Sequence, residues 1–380
     1  DALYPSYDTT RFVSQETYDT WFRGHPEPGD LIFVCKGSPG RVCVAPDPVD
    51  FCIAQDMVAI RADASQVYPR YLFAVLRSPQ VQHRIANMHV GTLIPHFKKG
   101  DFDKLDIPVP DDSTQVAIGD MYFELSAKID QNRRTARVLE RLTRATFRAW
   151  LINFEPVRAK AAGATSFPGM PQAVFRTLPA AFQDSPGSQL GPIPHGWELG
   201  SLGDIATEVR DGAKPHEIDP ETPYFGLEHM PKRCIALTEW EPVSKVTSNK
   251  SRFRAGQILF GKLRPYFHKV GIAPIGGVCS TDIVVVDPLE PVFFGMALGL
   301  LSSDIFVAYT NACSSGTKMP RTKWADMKQY PLAIPPSPVA EAFNAIVRPM
   351  ADKIVADIHE SRKLAELRDY LLTKLLSVQV

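Results

Sequence analysis

A short stretch in the second half of the chain concentrates cationic and aromatic side chains. Residues 261–269 contain two lysines, one arginine, one histidine and two aromatic residues in a region rich in turn-forming residues. Cations bind phosphate oxygens, and arginine pairs well with the edge of guanine, so this composition suits contact with a nucleic acid. A solvated hairpin loop is the alternative. The residues that we expect to make such contacts are Lys262, Arg264, Tyr266, His268 and Lys269.

Two further segments begin with Gly-Thr and end in basic residues. They are residues 91–99, which begin with Gly91-Thr92 and end with Lys98-Lys99, and residues 316–323, which begin with Gly316-Thr317 and end with Lys323. Glycine lets the backbone approach a phosphate closely and threonine can donate a hydrogen bond to it, although both segments could simply form turns into a following strand. The candidate DNA contacts are Thr92, His96, Lys98, Lys99, Thr317, Lys318, Arg321 and Lys323.

Two polar loops complete the set of candidate contacts. Lys36 and Arg41 lie in a sparser counterpart of the 261–269 stretch, and Arg210 and Lys214 lie in a polar loop at 210–216. Arginine pairs with guanine and lysine contacts phosphates or base edges. The six arginines at 133–148 recur at helical spacing and predict a solvated helix flank, partly compensated by Glu140; a phosphate-facing or partner-facing role is the alternative.

Motifs of catalysis and metal binding are missing from the sequence. It contains no GxxxxGK[ST] loop, no GxGxxG after a strand, no HExxH, no GxSxG and no Asp/Asn-Pro-Pro-aromatic tetrapeptide. The six cysteines form no CxxC pair and no short cluster with histidine, so we expect buried free thiols in a reducing cytoplasm. We therefore predict no catalytic residues, no metal ligands and no cofactor bound by this chain.

Bulk composition fits a folded protein of two domains. The 380 residues are 44% hydrophobic and 22% charged, and the 33 prolines indicate many turns and strand edges. The 42 basic and 42 acidic residues cancel, which argues mildly against a nucleic-acid binder unless the charges are unevenly distributed. The first residues resemble neither a signal nor a transit peptide and no apolar run approaches ~18 residues, so we expect a cytoplasmic protein.

The chain repeats itself. The sequence at 28–33 matches that at 255–260, and we expect the basic residues that follow, Lys36 and Lys262, to be equivalent. The Gly-Thr segments match at an offset of 225, and the same offset relates 107–110 to 332–335 and 139–142 to 364–367. A single register over this distance indicates a tandem duplication.

Each copy has the same predicted order of elements. Short apolar segments at 31–34, 57–60, 257–260 and 282–286 predict strands separated by turns. A short helix is predicted next, at 69–86 and at 294–308, before a long helical pattern closes each copy.

The closing helices carry a narrow apolar stripe. Small or apolar residues recur every three or four positions over about 40 residues, which predicts coiled-coil seams roughly 60 Å long, with Ser113 and Ser337 as N-caps. The helices could form seams of two separate dimers, but the tandem order favours antiparallel pairing within the chain. Asn132 and Asp357 occupy matching polar positions, which either fix the register or are two solvated breaks.

This order of a strand-rich domain, a long helix, a second such domain and a second helix resembles the specificity subunit of type I restriction-modification systems. The Gly-Thr segments, the sequence at 153–160 and Leu190-Gly191-Pro192-Ile193-Pro194-His195-Gly196-Trp197 are similar to motifs of that family. The resemblance implies an α+β fold with two tandem target-recognition domains, whose helices form an antiparallel coiled coil. It also implies a subunit that does not catalyse, that binds a bipartite asymmetric target on double-stranded DNA, and that holds two methyltransferase subunits using S-adenosylmethionine. A restriction subunit can join them.

The resemblance suggests five segments. They are a first target-recognition domain at 1–112, a first spacer helix at 113–155, a linker at 156–192, a second target-recognition domain at 193–337 and a second spacer helix at 338–380. The linker is expected to have little structure and a few anchoring apolar residues, namely Phe175, Leu178 and Phe182. The opening of the second copy has no counterpart in the first, so we expect the first domain to be N-terminally incomplete. The competing functions are a coiled-coil protein scaffold without DNA specificity and a nuclease or transferase active by itself.

Overall fold

The computed structural model describes residues 2–5, 11–22, 24–88, 95–185, 190–243, 248–316 and 318–377. The chain forms two compact units, one made of residues 1–132 and 360–380 and the other of residues 133–359. Both contain helices and strands, which confirms the predicted α+β class. The boundaries between the units lie inside the two long helices, so each unit contains a segment of both.

The first unit is built around a three-stranded antiparallel sheet. The central strand β1 lies between β2 and β3, and Leu31 is opposite both Val44 and Ile60. The buried core includes Phe33, Tyr71 and Phe97. The elements are α1 (Gln15–Trp21), β1 (Leu31–Val34), β2 (Val42–Val44), β3 (Met57–Ile60), α2 (Pro69–Leu76), α3 (Pro79–Met88) and the long α4 (Asp112–Phe147).

The single short helix predicted at 69–86 is two helices. Pro79 disfavours a helical conformation at Ser78 and suits the first position of a new helix, so α2 ends and α3 begins there. The Ser78 hydroxyl accepts a hydrogen bond from the Val81 amide at 3.3 Å.

The described residues of the predicted linker, 156–185 and 190–192, are a packed part of the second unit. This segment contains α5 (Glu155–Ala161), α6 (Gln172–Thr177) and β4 (Phe182–Gln183), which pairs with β5 (Ile193–Pro194). Phe175 and Leu178 are buried, and the Lys160 ammonium donates hydrogen bonds to backbone oxygens at the end of α6. The expectation of little structure is wrong, because α5, α6 and β4 form here, whereas Phe175 and Leu178 are buried as expected of anchoring residues.

The second unit contains two larger sheets. One has the order β13-β12-β15-β7 and the other β10-β9-β14-β11-β8, while β16 pairs with β6. The strands are β6 (Glu198–Ser201), β7 (Ala206–Glu208), β8 (Gly212–Ala213), β9 (Pro223–Phe225), β10 (Glu241–Pro242), β11 (Lys250–Phe253), β12 (Ile258–Gly261), β13 (Val270–Ile272), β14 (Gly277–Ser280), β15 (Ile283–Pro288) and β16 (Pro331–Ile334). The helices are α7 (Phe294–Leu301), α8 (Asp304–Ala312), α9 (Trp324–Met327) and the long α10 (Ser337–Ser377).

The strands and short helices bear out the duplication. Strand β12 lies between β13 and β15 as β1 lies between β2 and β3, and Ile258 is opposite Ile272 and Val286. Helices α7 and α8 follow as α2 and α3 do, again with a serine N-cap between them. Among the described residues no single helix is long and apolar enough to cross a membrane; the bent pair Pro291–Leu301 and Asp304–Ala312 passes by length and composition only, and all of α7 is buried.

Helices α4 and α10 pair in antiparallel fashion in each unit. In the first unit Asn132 bonds Glu360 at 2.8 Å and Ser126 bonds Arg368 at 3.3 Å, while in the second the Phe147 and Phe343 ring centroids lie 6.3 Å apart. Residue numbers rise along α4 as they fall along α10, which confirms the predicted antiparallel coiled coil.

The helix starts and polar seam positions are only partly as predicted. Asp111, rather than Ser113, caps α4 by accepting a hydrogen bond from the Thr114 amide at 3.0 Å. Ser337 is the first residue inside α10 and its hydroxyl donates to Glu341 at 2.8 Å, so it is not an N-cap either. Asn132 and Asp357 are 3% and 2% exposed, so neither is a solvated break. Asn132 bonds Glu360 and Asp357 bonds Lys353; their role in register remains a prediction.

A glycine brings each long helix against a short helix of the same copy. On α4, a Cβ added to Gly119 would lie 2.6 Å from the Tyr71 backbone nitrogen in α2. At the positions 225 residues further on, the glycine is on the other partner: Gly295 of α7 faces Asn344 of α10, whose side-chain oxygen accepts the Gly295 amide at 3.0 Å. Both contacts fix a strand-rich body onto its closing helix.

Candidate nucleic-acid interface

The loop at 262–269 leaves strand β12 and returns into β13. Its ends are joined by a hydrogen bond from the Gly261 amide to the Lys269 carbonyl at 2.8 Å. Between them Pro265–Phe267 forms one 3₁₀ turn, flanked by Arg264 and His268 in the left-handed conformation. The loop is therefore closed at its base by a backbone hydrogen bond.

The second Gly-Thr segment forms a narrow hairpin. Ser315 and Arg321 exchange two backbone hydrogen bonds of 3.0 Å, and Gly316 has a φ of 103°, which suits a residue without a Cβ. Lys318 at its tip is exposed. Thr317, one of the predicted contacts, lies outside the described residues.

Backbone hydrogen bonds join this hairpin to the 262–269 loop. The Arg264 amide donates to the Pro320 carbonyl at 2.7 Å, and the Thr322 amide donates to the Lys262 carbonyl at 3.1 Å. Two segments that the sequence offered as separate candidates therefore form one surface, residues 262–269 with 315–323, here called the second basic surface.

The first copy builds the same arrangement. The Gly37 amide donates to the Pro95 carbonyl at 2.9 Å, and the Phe97 amide donates to the Cys35 carbonyl at 2.8 Å. Residues 36–41 with 95–99 are here called the first basic surface. Thr92 lies outside the described residues.

The backbone pairing corrects one predicted equivalence. Lys36 pairs with His96 as Leu263 pairs with Arg321, and Cys35 occupies the place of Lys262. Lys36 and Lys262 are therefore not equivalent, because they differ by one position when the two copies are aligned. The residue equivalent to Lys262 in the first copy is Cys35, and the residue equivalent to Lys36 in the second copy is Leu263.

Most predicted contacts on the two surfaces are accessible, but several are already paired. Lys36 lies 3.9 Å from Asp56, and Arg321 binds Asp282 at 2.9 Å, which raises the pKa of the Arg321 guanidinium. Lys269 donates to the Leu227 carbonyl, and burial lowers the pKa of its ammonium. The exposed side chains are those of Lys36, Arg41, Lys98, Lys99, Tyr266, Lys318, Arg321 and Lys323, with His96, Lys262, Arg264 and Lys269 half-buried.

His268 is the exception among the candidates. Its side chain is 2% exposed, and its Nε2 lies 2.9 Å from the Ser302 carbonyl between α7 and α8. Asp304 lies 3.4 Å from Nδ1, and burial is the largest cause that lowers the pKa of the imidazole. A buried ring cannot reach DNA, so the assignment of His268 as a DNA contact is wrong; it anchors the loop instead.

The 210–216 loop lies at the edge of the five-stranded sheet. Arg210 is exposed and bonds Glu208 at 2.6 Å, and Lys214 is exposed. Beside this loop is a cavity of about 520 Å³ whose lining includes Asp211, Arg252 and Arg254. Sequence reasoning missed these two arginines, although cations alternating with other residues along strand β11 would have indicated a charged strand face.

A further cation was missed near the second basic surface. The Lys232 ammonium lies 4.4 Å from the centroid of the Phe267 ring, a cation–π distance that places an exposed positive charge beside Tyr266. The Tyr266 and Phe267 rings are 4.8 Å apart, and Tyr266 is 50% exposed. The signal in the sequence was weak because Lys232 is more than thirty residues from the ring it contacts.

The arginines of α4 behave differently from one another. Arg133, Arg134, Arg137, Arg141 and Arg148 are exposed. Arg144 is half-buried and pairs with Glu140, which is buried and also accepts the Ile235 amide at 3.0 Å. Burial raises the pKa of the Glu140 carboxyl. Glu140 is therefore a core contact rather than part of a solvated flank.

All six cysteines are free thiols, but only Cys35 and Cys279 are buried and Cys313 is exposed, so the expectation of buried thiols holds for two of them.

One group of side chains has the spacing of possible metal ligands, although the sequence predicted none. Glu228, His229 and Glu241 each offer one ligand atom, and these atoms lie within 4.8 Å of one another. The Gly226 amide donates to Nδ1 of His229, so the neutral ring carries its proton on Nε2, which is the nitrogen that contacts Glu241 at 3.0 Å.

Comparisons with known proteins agree with this architecture. The family model described as "Type I restriction modification DNA specificity domain" matches residues 25–141. The chain is 23% identical over 359 residues to the type I restriction enzyme MjaIX specificity subunit of Methanocaldococcus jannaschii, covering 91% of this chain and 76% of that protein. It is 22% identical over 409 residues to the HindI specificity subunit of Haemophilus influenzae, covering 93% and 86%.

A solved structure shares the fold. The crystal structure of the type I restriction-modification system S subunit from M. genitalium matches with a TM-score of 0.55 and 14% identity, covering 93% of this chain and 84% of that one. The duplicated strand-rich bodies with their closing helices therefore have the fold of that S subunit. The chain is thus similar to type I restriction enzyme specificity subunits over most of its length, and residues 25–141 match the model of their DNA specificity domain.

Proposed function

We propose that this chain recognises a bipartite, asymmetric DNA target, with the first basic surface reading one half-site and the second basic surface the other. The observation that carries the proposal is that both copies build the surface from equivalent backbone hydrogen bonds while carrying different side chains. A repeated scaffold with divergent side chains suits two different base sequences, because base edges are read by side chains and phosphates by cations and amides.

The division of the chain follows from the same proposal. Residues 1–112 and 193–337 are the two target-recognition domains, and residues 113–155 and 338–380 are the spacer helices. The packed segment at 156–192 belongs with the second domain, since its α6 and β4 contribute to that core. In this proposal each target-recognition domain is followed along the chain by one spacer helix.

Methyltransferase subunits, and with them a restriction subunit, assemble on the long helices in this proposal. On α4, Val138 and Leu142 are 51% and 46% exposed one helical turn apart, beside the exposed Arg137 and Arg141. Exposed apolar residues rimmed by cations are typical of a protein-binding surface. The chain itself then needs no catalytic group, and S-adenosylmethionine binds to the methyltransferase.

The test is methylation of a random double-stranded DNA library by this chain purified together with its methyltransferase subunit. Modified adenines confined to one split motif, and lost when this chain is omitted, would support the proposal. A stable complex without sequence-selective modification would favour the alternative of a coiled-coil scaffold and would refute the two reading surfaces.

A further inference from the structure

The two basic surfaces have the same loop shape but reach it with different residues. In the first copy the loop has two glycines in the left-handed region, Gly37 with a φ of 84° and Gly40 with a φ of 91°. In the second copy the equivalent positions are Arg264 and His268, each with a φ of 52°. Gly37 and Arg264 each donate their amide to the proline carbonyl of the neighbouring segment.

The second pair of left-handed positions is equally well defined. Gly40 precedes Arg41, whose carbonyl accepts the Val34 amide at 2.9 Å, and His268 precedes Lys269, whose carbonyl accepts the Gly261 amide at 2.8 Å. A residue with a Cβ is unfavourable in this conformation, and glycine is the usual choice. The second copy therefore keeps two strained residues where the first copy shows that glycine suffices.

Contacts within the fold account for His268. Its ring is buried and bonded to the Ser302 carbonyl, so a glycine there would leave a cavity and an unpaired oxygen.

Contacts within the fold do not account for Arg264. No ion pair among the described residues includes it, and its Nε is buried without a hydrogen-bond partner. Its guanidinium makes one long hydrogen bond, 3.3 Å from Nη2 to the Lys318 carbonyl, and lies 6.0 Å from the Phe267 ring. Its neighbour Arg321, in contrast, is held by Asp282.

We infer that Arg264 is a specificity-determining residue of the second half-site, where its terminal nitrogens contact the O6 and N7 atoms of a guanine in the major groove. Burial of Nε leaves the terminal nitrogens as the donors that a ligand can reach, and a side-by-side pair of acceptors on guanine matches them. This inference rests on the proposed function of the second basic surface, because it names the residue by which that surface selects a base.

The experiment compares the wild-type chain with Arg264→Gly and Arg264→Lys, each as the full chain purified with its methyltransferase subunit. Binding to a random double-stranded library is followed by sequencing, and affinity for the selected target is measured at several salt concentrations. We expect both variants to lose a required guanine at one position of one half-site, with about 5–150-fold weaker binding to the original target. The other half-site stays unchanged.

Each variant controls for the other. Arg264→Gly removes the charge but adopts the residue of the first copy, so its thermal midpoint should equal or exceed that of the wild type. Arg264→Lys keeps the charge but cannot contact both guanine acceptors in the same way, so it should lose selectivity while retaining the salt dependence. Lys318→Ala, which removes an exposed cation from the same surface, should weaken binding to all sequences alike.

Three outcomes would overturn the inference. An unchanged motif in both variants would show that Arg264 reads no base. A uniform loss of affinity over all sequences, with a salt dependence reduced by about one phosphate contact, would make Arg264 a phosphate ligand. A wild-type chain that selects no split motif would refute the proposed function itself, and this assignment with it.

Discussion

Replacement of Gly119 by alanine should loosen the first unit at one place. An added Cβ would lie 2.6 Å from the Tyr71 nitrogen and 2.9 Å from the carbonyl carbon of Arg70. Both atoms belong to the backbone of α2, so neither can move aside as a side chain would. The methyl group fits only if α2 shifts away from α4.

The expected size follows from two opposing effects. Alanine is favoured over glycine in a helix interior by ~1 kcal/mol, whereas overpacking of a tight contact costs ~1–3 kcal/mol. Because the clash is with backbone, the cost should be at the upper end, and the net loss about 2 kcal/mol. That corresponds to local opening of α2 roughly 30 times more often.

Amide hydrogen exchange measures this opening helix by helix. Exchange in α2 should accelerate by about 30-fold while α7, in the other unit, keeps its wild-type rate. Gly100→Ala is the matched control, since an added Cβ there meets nothing within 4 Å. Slower exchange of α2 in Gly119→Ala would mean that helix propensity prevails without a clash, and would refute the close approach of the two helices.

Three further predictions concern the helices, the buried histidine and the packed segment. Replacing Val138 and Leu142 together by serine should reduce co-purification of the methyltransferase subunit at least tenfold without lowering the thermal midpoint, because both side chains are exposed. His268→Asn should abolish a fall in the free energy of unfolding below about pH 6.5, and asparagine tolerates the left-handed backbone. Burial lowers the pKa of the His268 imidazole in the folded state, so the stability it contributes is present above the unfolded-state pKa and is lost as the pH falls. Lys160→Met should make the segment after α6 sensitive to proteolysis, because three backbone oxygens lose their donor.

Each of these has a simple counter-result. Co-purification unchanged by the double serine variant, but reduced by Val116→Ser near the start of α4, would move the docking surface to another part of the helix. A pH dependence that persists in His268→Asn, followed by tryptophan fluorescence with His216→Asn as the control, would assign it to other groups. Equal proteolysis of Lys160→Met and wild type would show that apolar packing alone orders the segment.

Much of the fold could be predicted because the chain contains its own comparison. Apolar spacing predicted strands β1 and β3 and the two long helices. The sequence repeat at an offset of 225 indicated that the two copies have the same order of elements, and the tandem order favoured antiparallel helices. The spacing of the helix seam also located Asn132 and Asp357, but only the structure shows that they are buried. Local pattern determines which residues face a core, while the partners of polar residues depend on distant segments.

The errors have the same cause. The predicted linker is rich in alanine, glycine and proline, and its local sequence does not indicate that it forms two helices and a strand that pairs with β5. His268 is of a residue type that can contact DNA, but its ring is buried and bonds the Ser302 carbonyl, which is more than thirty residues further along the sequence. Most of the remaining candidate contacts lie on one surface per copy because backbone bonds between distant segments bring them together, which composition alone could not indicate.

The two glycine contacts determine where such a chain can be recombined. The first strand-rich body fits a helix that has glycine at its crossing, Gly119, whereas the second provides its own glycine, Gly295, and meets Asn344. Placing the first body on α10 would press an asparagine into the backbone of α2, and placing the second body on α4 would set glycine against glycine and leave a gap. A chimera that exchanges recognition halves should therefore be joined inside the helices, beyond these crossings, so that each body is inherited with the helical turn that it fits.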